Sequence, residues 1–183
     1  MPRLNVRAIA SVAAVASVCA FFVVPSVHGQ RPNPLSPHES STVTIDGARI
    51  TVTYGRPSMR GRKIYGGLVP YGRVWMPGAD ESSKFETSAP LQFGNFKLPA
   101  GAYTLYAVPG EREWTLIINK RTGQFHTVYP EQDDLVKLPM TIEPLAAPVE
   151  QLTIEAVPRP AGGGALQIDW EKTRASVPFT VLR

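Results

Sequence analysis

The chain has 183 residues, 43% apolar and 19% charged, with a formal net charge of +4. Its 18 prolines exclude a helical bundle or coiled coil, because each interior proline costs a helix about 3 kcal/mol. The apolar content and three tryptophans exclude a disordered chain, and the single cysteine excludes a disulfide scaffold and a cysteine-based zinc site.

The first segment reads as an address. Arg3 and Arg7 precede an uncharged run from Ala8 to Val24, and Pro25-Ser26 then breaks it. A basic start, an apolar stretch and small residues at −3 and −1 predict a secretory signal peptide over residues 1–29, cleaved after Gly29. Val18 before Cys19 is not the small residue that lipoprotein processing needs. Cleavage removes Cys19 and two of the 19 basic groups, so the net charge of +4 falls to +2. The expected location is therefore the periplasm or the medium, with the membrane touched only through the leader. Residues 30–37 hold Pro32, Pro34 and Pro37 and read as an extended linker. Residues 38–183 suffice for one domain with a sizeable core.

The clearest local signal follows. Thr42–Ile45 and Ala48–Tyr54 are β-rich runs joined by Asp46-Gly47, a dipeptide that tolerates the positive φ of a type I′ hairpin turn. Gly55 to Gly78 has glycine and proline without lasting periodicity and reads as one long ordered loop, a feature often tied to function. Lys84–Ser88 and Leu91–Leu98 are strand candidates, the second turning at Gly94-Asn95. Ala102–Val108 and Glu113–Asn119 form a second hairpin across Pro109-Gly110. Gly123–Tyr129 reads as a short strand, carrying His126 as an ordinary strand side chain, and Gln132–Asp134 as a polar turn. Leu135–Ile142, interrupted by Pro139, predicts an edge or bulged strand. Val149–Val157 alternates well, and Pro158–Gly164 is a loop. Ala165–Trp170 and Ser176–Leu182 read as a last pair joined by a charged turn at Glu171–Arg174. About ten short strands at this spacing predict an all-β, single-domain antiparallel β-sandwich of jelly-roll type.

Chemistry concentrates in the long loop. Arg49, Arg56, Arg60, Arg62, Lys63 and Arg73 follow one another with no acid before Asp80. Arginine forks suit carboxylates, phosphates and sulfates, and Tyr54, Tyr65, Tyr71 and Trp75 share the stretch. Arg56, Arg62 and Arg73 as anion-holding groups, Tyr71 and Trp75 as stacking surfaces, and Asp80 and Glu81 as hydroxyl-bonding or arginine-orienting groups make a candidate site for a carbohydrate or small anionic ligand. The structural alternative is a loop whose arginines pair with Asp80, Glu81 and backbone carbonyls, with Trp75 as a core plug. Trp114 and Trp170, within alternating strands, read as core. A small net charge and an exported address argue against nucleic acid.

No catalytic residue and no cofactor are assigned. GxSxG, SxxK and phosphate-loop patterns are missing, and His38 and His126 lack metal-ligand spacing. Adjacent carboxylates such as Asp80-Glu81 would point to opposite faces of a strand.

Several blocks occur in order: Tyr54-Gly55-Arg56-Pro57, Gly61-Arg62-Lys63-Ile64-Tyr65-Gly66, Leu68 through Trp75, Gly78-Ala79-Asp80-Glu81, Leu98 through Leu105, Pro109-Gly110, Trp114 and Asn119-Lys120. From about Ser36 to the C-terminus the chain resembles the bacterial exported family called domain of unknown function 2911. The resemblance implies an exported β-rich domain and supplies no activity or catalytic residues. Relatives usually read Arg-Thr-Gly-Ala-Asn-Glu after the tryptophan, where this chain has Met76-Pro77-Gly78-Ala79-Asp80-Glu81. Three functional readings follow: a non-enzymatic envelope or periplasmic binding domain, a carbohydrate-active enzyme using Asp80 or Glu81, and a structural domain without a small ligand.

Overall fold

The computed structural model describes residues 36–183. The expected leader and nearly all of the linker therefore lie outside the described residues. Nine antiparallel strands form one sheet: β1 (His38–Ile45), β2 (Ala48–Gly55), β3 (Lys84–Thr87), β4 (Leu91–Phe93), β5 (Phe96–Leu98), β6 (Gly101–Val108), β7 (Trp114–Asn119), β8 (Asp134–Pro158) and β9 (Gly164–Val181). Their order across the sheet is β1-β2-β3-β6-β7-β8-β9-β4-β5.

The sheet folds over on itself as a β-sandwich does, and β8 makes the fold. Its first part, to Met140, pairs with β7, and from Thr141 onward it pairs with β9. The apolar faces of the two halves then meet in one core. Ile50, Val52, Phe85, Leu105, Leu116 and Ile118 come from one half, and Leu91, Leu152, Ile154, Leu166, Ile168 and Phe179 from the other. Alternation along each strand is the cause: successive side chains take opposite faces, so one apolar set faces inward. Fully burying each such side chain stabilises the fold by about 1.5–3 kcal/mol.

Most sequence-level strands are present. The Asp46-Gly47 turn has φ of 47° and 85°, the paired positive values of type I′. β6 and β7 form the second hairpin, and β4 and β5 turn at Gly94-Asn95. Pro139 sits where β8 pairs with β7 alone, so its missing N–H leaves no second neighbour unbonded.

Three expectations are corrected. Gly123–Tyr129 is not a strand; it is turn and coil with one bridge, between Phe125 and Glu81. Leu135–Ile142 and Val149–Val157 belong to one long strand, β8, with the register shifting around Val149. Glu171–Arg174 is not a hairpin turn. β9 runs through it, and Glu171 adopts φ 56° opposite those register shifts. A single left-handed residue in a strand makes a bulge, and the strand continues past it. The Asp169 carboxylate, bonded to Arg174 Nε at 2.8 Å, spans this bulge.

The long loop is ordered by what it pairs with. Its first part lies against β8: Met59 N donates to Glu150 O at 2.8 Å, and Leu152 N to Pro57 O at 3.0 Å. Its middle drives Ile64, Tyr65 and Val69 into the core. Its last part extends the sheet along β6 beyond the end of β3, where Trp75 and Ala107 exchange both backbone hydrogen bonds at 2.8 Å. Gly55 permits this route, because a Cβ there would collide with the Ala79 carbonyl.

Candidate functional site

The loop, paired beside β8 and along β6, borders a cleft of about 360 Å³. Arg60, Arg62, Leu68, Trp75, His126 and Trp170 are among its lining residues.

The two arginines are placed by a tight turn. Arg62 N donates to Met59 O at 3.0 Å, and Arg60 and Gly61 have φ of 50° and 72°. This is type I′ geometry, which suits asparagine, aspartate or glycine at its first central position. Arginine occupies it here, held by a bond from Arg60 N to Glu150 Oε1 at 2.8 Å. The left-handed conformation of a non-glycine residue costs about 1–3 kcal/mol, and such outliers cluster at ligand-holding sites. The Arg62 guanidinium is clamped from behind: Nε donates to Met59 O at 2.9 Å and Nη2 to Ser58 O at 2.7 Å. Its Nη1 has no hydrogen bond among the described residues.

Aromatic rings form the inner wall. Trp75 is half-buried and stacks on Trp170 with centroids 6.1 Å apart and an interplanar angle of 15°. Tyr65 meets Trp75, Trp114 and Trp170 edge-on, the Trp114 contact at 4.6 Å. The Tyr65 hydroxyl is buried with no hydrogen-bond partner, and burial, reinforced by the Glu171 and Asp169 carboxylates, pushes its pKa well above the ordinary phenol value.

His126 enters from the segment expected to be a strand. Its backbone N and its ring Nδ1 both lie near Asp80 O, at 2.9 and 3.0 Å. A carbonyl only accepts, so Nδ1 carries a proton and Nε2 is an acceptor in the neutral ring. Asp80 presents that carbonyl by adopting φ 66°.

Of the seven candidate site residues, Arg62 and Trp75 come together in the cleft. Arg56 is tied into the sandwich, with Nε on Leu152 O at 3.0 Å, Nη1 on Glu39 at 2.7 Å and Nη2 on Thr153 Oγ1 at 2.9 Å. Tyr71 lies over Gly66, whose missing side chain makes room for its ring. Arg73 is exposed on the loop. Asp80 faces His38, Oδ2 to Nε2 at 3.7 Å, while Glu81 lines a separate groove with Lys84 and Thr122. Arg60 and His126 line the cleft but were not singled out as site residues from the sequence. The Arg60-Gly61 dipeptide carries the turn signal that points to the first. Nothing local points to the second, whose position depends on pairing with residue 80.

The cleft offers guanidinium donors, an imidazole acceptor and an aromatic wall. No aspartate or glutamate is among its lining residues. Among the described residues no group of three or more His, Cys, Asp or Glu is placed to hold a metal ion.

No curated protein and no solved structure matches the chain significantly. The family model described as "Protein of unknown function (DUF2911)" matches residues 36–179, which takes in the whole loop, every strand up to β9 and every cleft residue named above, and the chain belongs to that family.

Proposed function

We propose that this is an exported, non-catalytic binding domain whose cleft takes a carbohydrate or small anionic ligand. The observation that carries the reading is the placement of Arg60 and Arg62 beside Trp75 in one cleft, with Arg62 locked by two backbone carbonyls. A preorganised guanidinium loses little entropy on binding, and an aromatic wall packs against the C–H face of a sugar. The cleft volume is at the small end of the usual 300–1,000 Å³ range and suits a ligand of one or two rings.

The enzyme reading draws no support from this geometry. Glycoside hydrolysis uses two carboxyls across one cleft. Asp80 and Glu81 instead face His38 and a separate groove.

A thermal-shift panel of neutral and acidic glycans and small anions tests the reading. A ligand at 100 times its Kd adds about 2.7 kcal/mol of stability. No shift across the panel would favour a purely structural domain. Export is tested separately by N-terminal sequencing of the protein from the periplasm or medium, with Gln30 expected as the first residue.

A further inference from the structure

We infer that the ligand is an acidic saccharide: a sugar ring carrying a carboxylate, as in a uronic acid. This rests on the cleft being a binding site at all, and it assigns the chemical class of what binds there.

Three complementary features converge on one volume. Arg60 and Arg62 are the second and fourth residues of the same type I′ turn, and both line the cleft. A planar guanidinium fork matches a carboxylate in two parallel bonds. Arg62 has Nε fixed on Met59 O and Nη2 on Ser58 O, so its plane is set before any ligand arrives. That arrangement favours a planar, singly charged acid over a diffuse cation or a neutral group.

Part of the cleft wall is aromatic. Trp75 lines the cleft and stacks on Trp170, which holds its ring in one orientation. A bare inorganic anion has no use for such a surface, whereas a pyranose presents an apolar C–H face to it. His126 supplies the remaining group. With Nδ1 bonded to Asp80 O, the neutral ring offers Nε2 as an acceptor. A hydroxyl donates to that acceptor, and a fully ionised small anion does not. Charge, ring face and hydroxyl acceptor together describe a sugar acid better than a neutral sugar or a simple anion. Sugar sulfates and sugar phosphates share part of this chemistry and are separate arms of the test.

The test is calorimetric titration of the purified protein with mono- and digalacturonic and glucuronic acids. Galactose and glucose, the 6-sulfates, the 6-phosphates, acetate and inorganic phosphate run alongside. The uronic acids are expected to bind at least about tenfold more tightly than the neutral sugars, the equivalent of about 1.4 kcal/mol. Their affinity should fall with added salt, because exposed guanidinium–carboxylate attraction is screened. Arg60→Gln should cut the acid-over-neutral ratio about tenfold, and Trp75→Leu should weaken both sugars alike. Arg62 also braces the turn, so Arg62→Lys is the second variant: it keeps the charge, removes the planar fork, and should lower the ratio while the melting curve stays intact.

Equal affinity for neutral and acidic sugars would overturn this assignment and leave the cleft a carbohydrate site. Equal affinity for acetate or phosphate and the sugar acids would overturn it in favour of a simple anion site. Tighter binding of the sulfates or phosphates would overturn the carboxylate assignment. No binding by any arm would overturn both this inference and the binding reading beneath it.

Discussion

Tyr54 ties the two halves of the sandwich together, and removing its hydroxyl should loosen that tie by a calculable amount. The hydroxyl accepts from Ile154 N at 2.9 Å and donates to Leu152 O at 3.4 Å, both on β8. In Tyr54→Phe the Leu152 carbonyl keeps Arg56 Nε at 3.0 Å and stays satisfied. The Ile154 N–H loses its acceptor. Ile154 is fully buried, so water cannot replace the bond. An orphaned buried donor costs about 1–3 kcal/mol. At about 2–4 °C per kcal/mol for a domain of this size, the melting temperature should fall by about 2–12 °C. Thermal unfolding followed by circular dichroism measures it. Thr42→Ala is the control: Thr42 and Thr51 share an exposed bond at 2.9 Å, and its loss should stay within about 0.5 kcal/mol. A Tyr54→Phe melting point indistinguishable from that of Thr42→Ala would refute the idea that this hydroxyl joins the layers.

Further outcomes follow from other buried groups. Tyr65→Phe deletes a buried hydroxyl that has no partner, so it should leave stability unchanged or raise it by up to about 1 kcal/mol; a clear loss in urea unfolding would mean the hydroxyl is bonded. Burial raises the phenol pKa of Tyr54, Tyr65, Tyr103, Tyr106 and Tyr129 above the ordinary 10.0. Below pH 10 these phenols are neutral in both states; above it the unfolded chain loses protons that the folded one retains, so stability falls as pH rises. Melting scans across about pH 8–11 should show that decline beginning near pH 10, with the tyrosinate absorbance of these five phenols appearing chiefly on unfolding. Gly55→Ala should force the Ala79 carbonyl away and cost about 1–3 kcal/mol in thermal unfolding. It should also disturb tryptophan fluorescence, because the same strip carries Trp75.

The contrast between the hairpin at Asp46-Gly47 and the supposed turn at Glu171–Arg174 shows what local sequence decides. In the first, the dipeptide itself sets two positive φ values, and flanking β-branched residues alternate on one face. Conformation and pattern agree within a dozen residues. In the second, the charged run looks the same as a surface turn. The chain nevertheless continues, because β8 opposite it bulges by several residues and needs only one left-handed residue from β9. Whether a polar interruption is a turn or a bulge depends on the partner strand, which lies far away in sequence. The expected strand at Gly123–Tyr129 fails for the same reason: its backbone pairs across only with residues 80–82, too few to form a ladder.

The site divides along the same line. Arginines and aromatics crowded into a glycine- and proline-rich loop are visible in the sequence, as is the loop's order. Which arginines are free to meet a ligand is not. Arg56 and Arg62 look alike as letters, yet Arg56 reaches Glu39, Leu152 and Thr153, while Arg62 folds back on its own turn and lines the cleft. His126 reaches the cleft only because the Asp80 carbonyl holds it.

The sequence by itself determined the all-β class, the early hairpins and the inward face of the alternating strands, because these rest on short-range alternation and turn chemistry; the family was legible in the ordered blocks of residues. The tertiary structure alone decided the two long strands, the fold-over at Thr141 and the membership of the cleft. Each of those depends on pairing between segments many residues apart, where backbone partners, not side-chain type, choose which groups face one another.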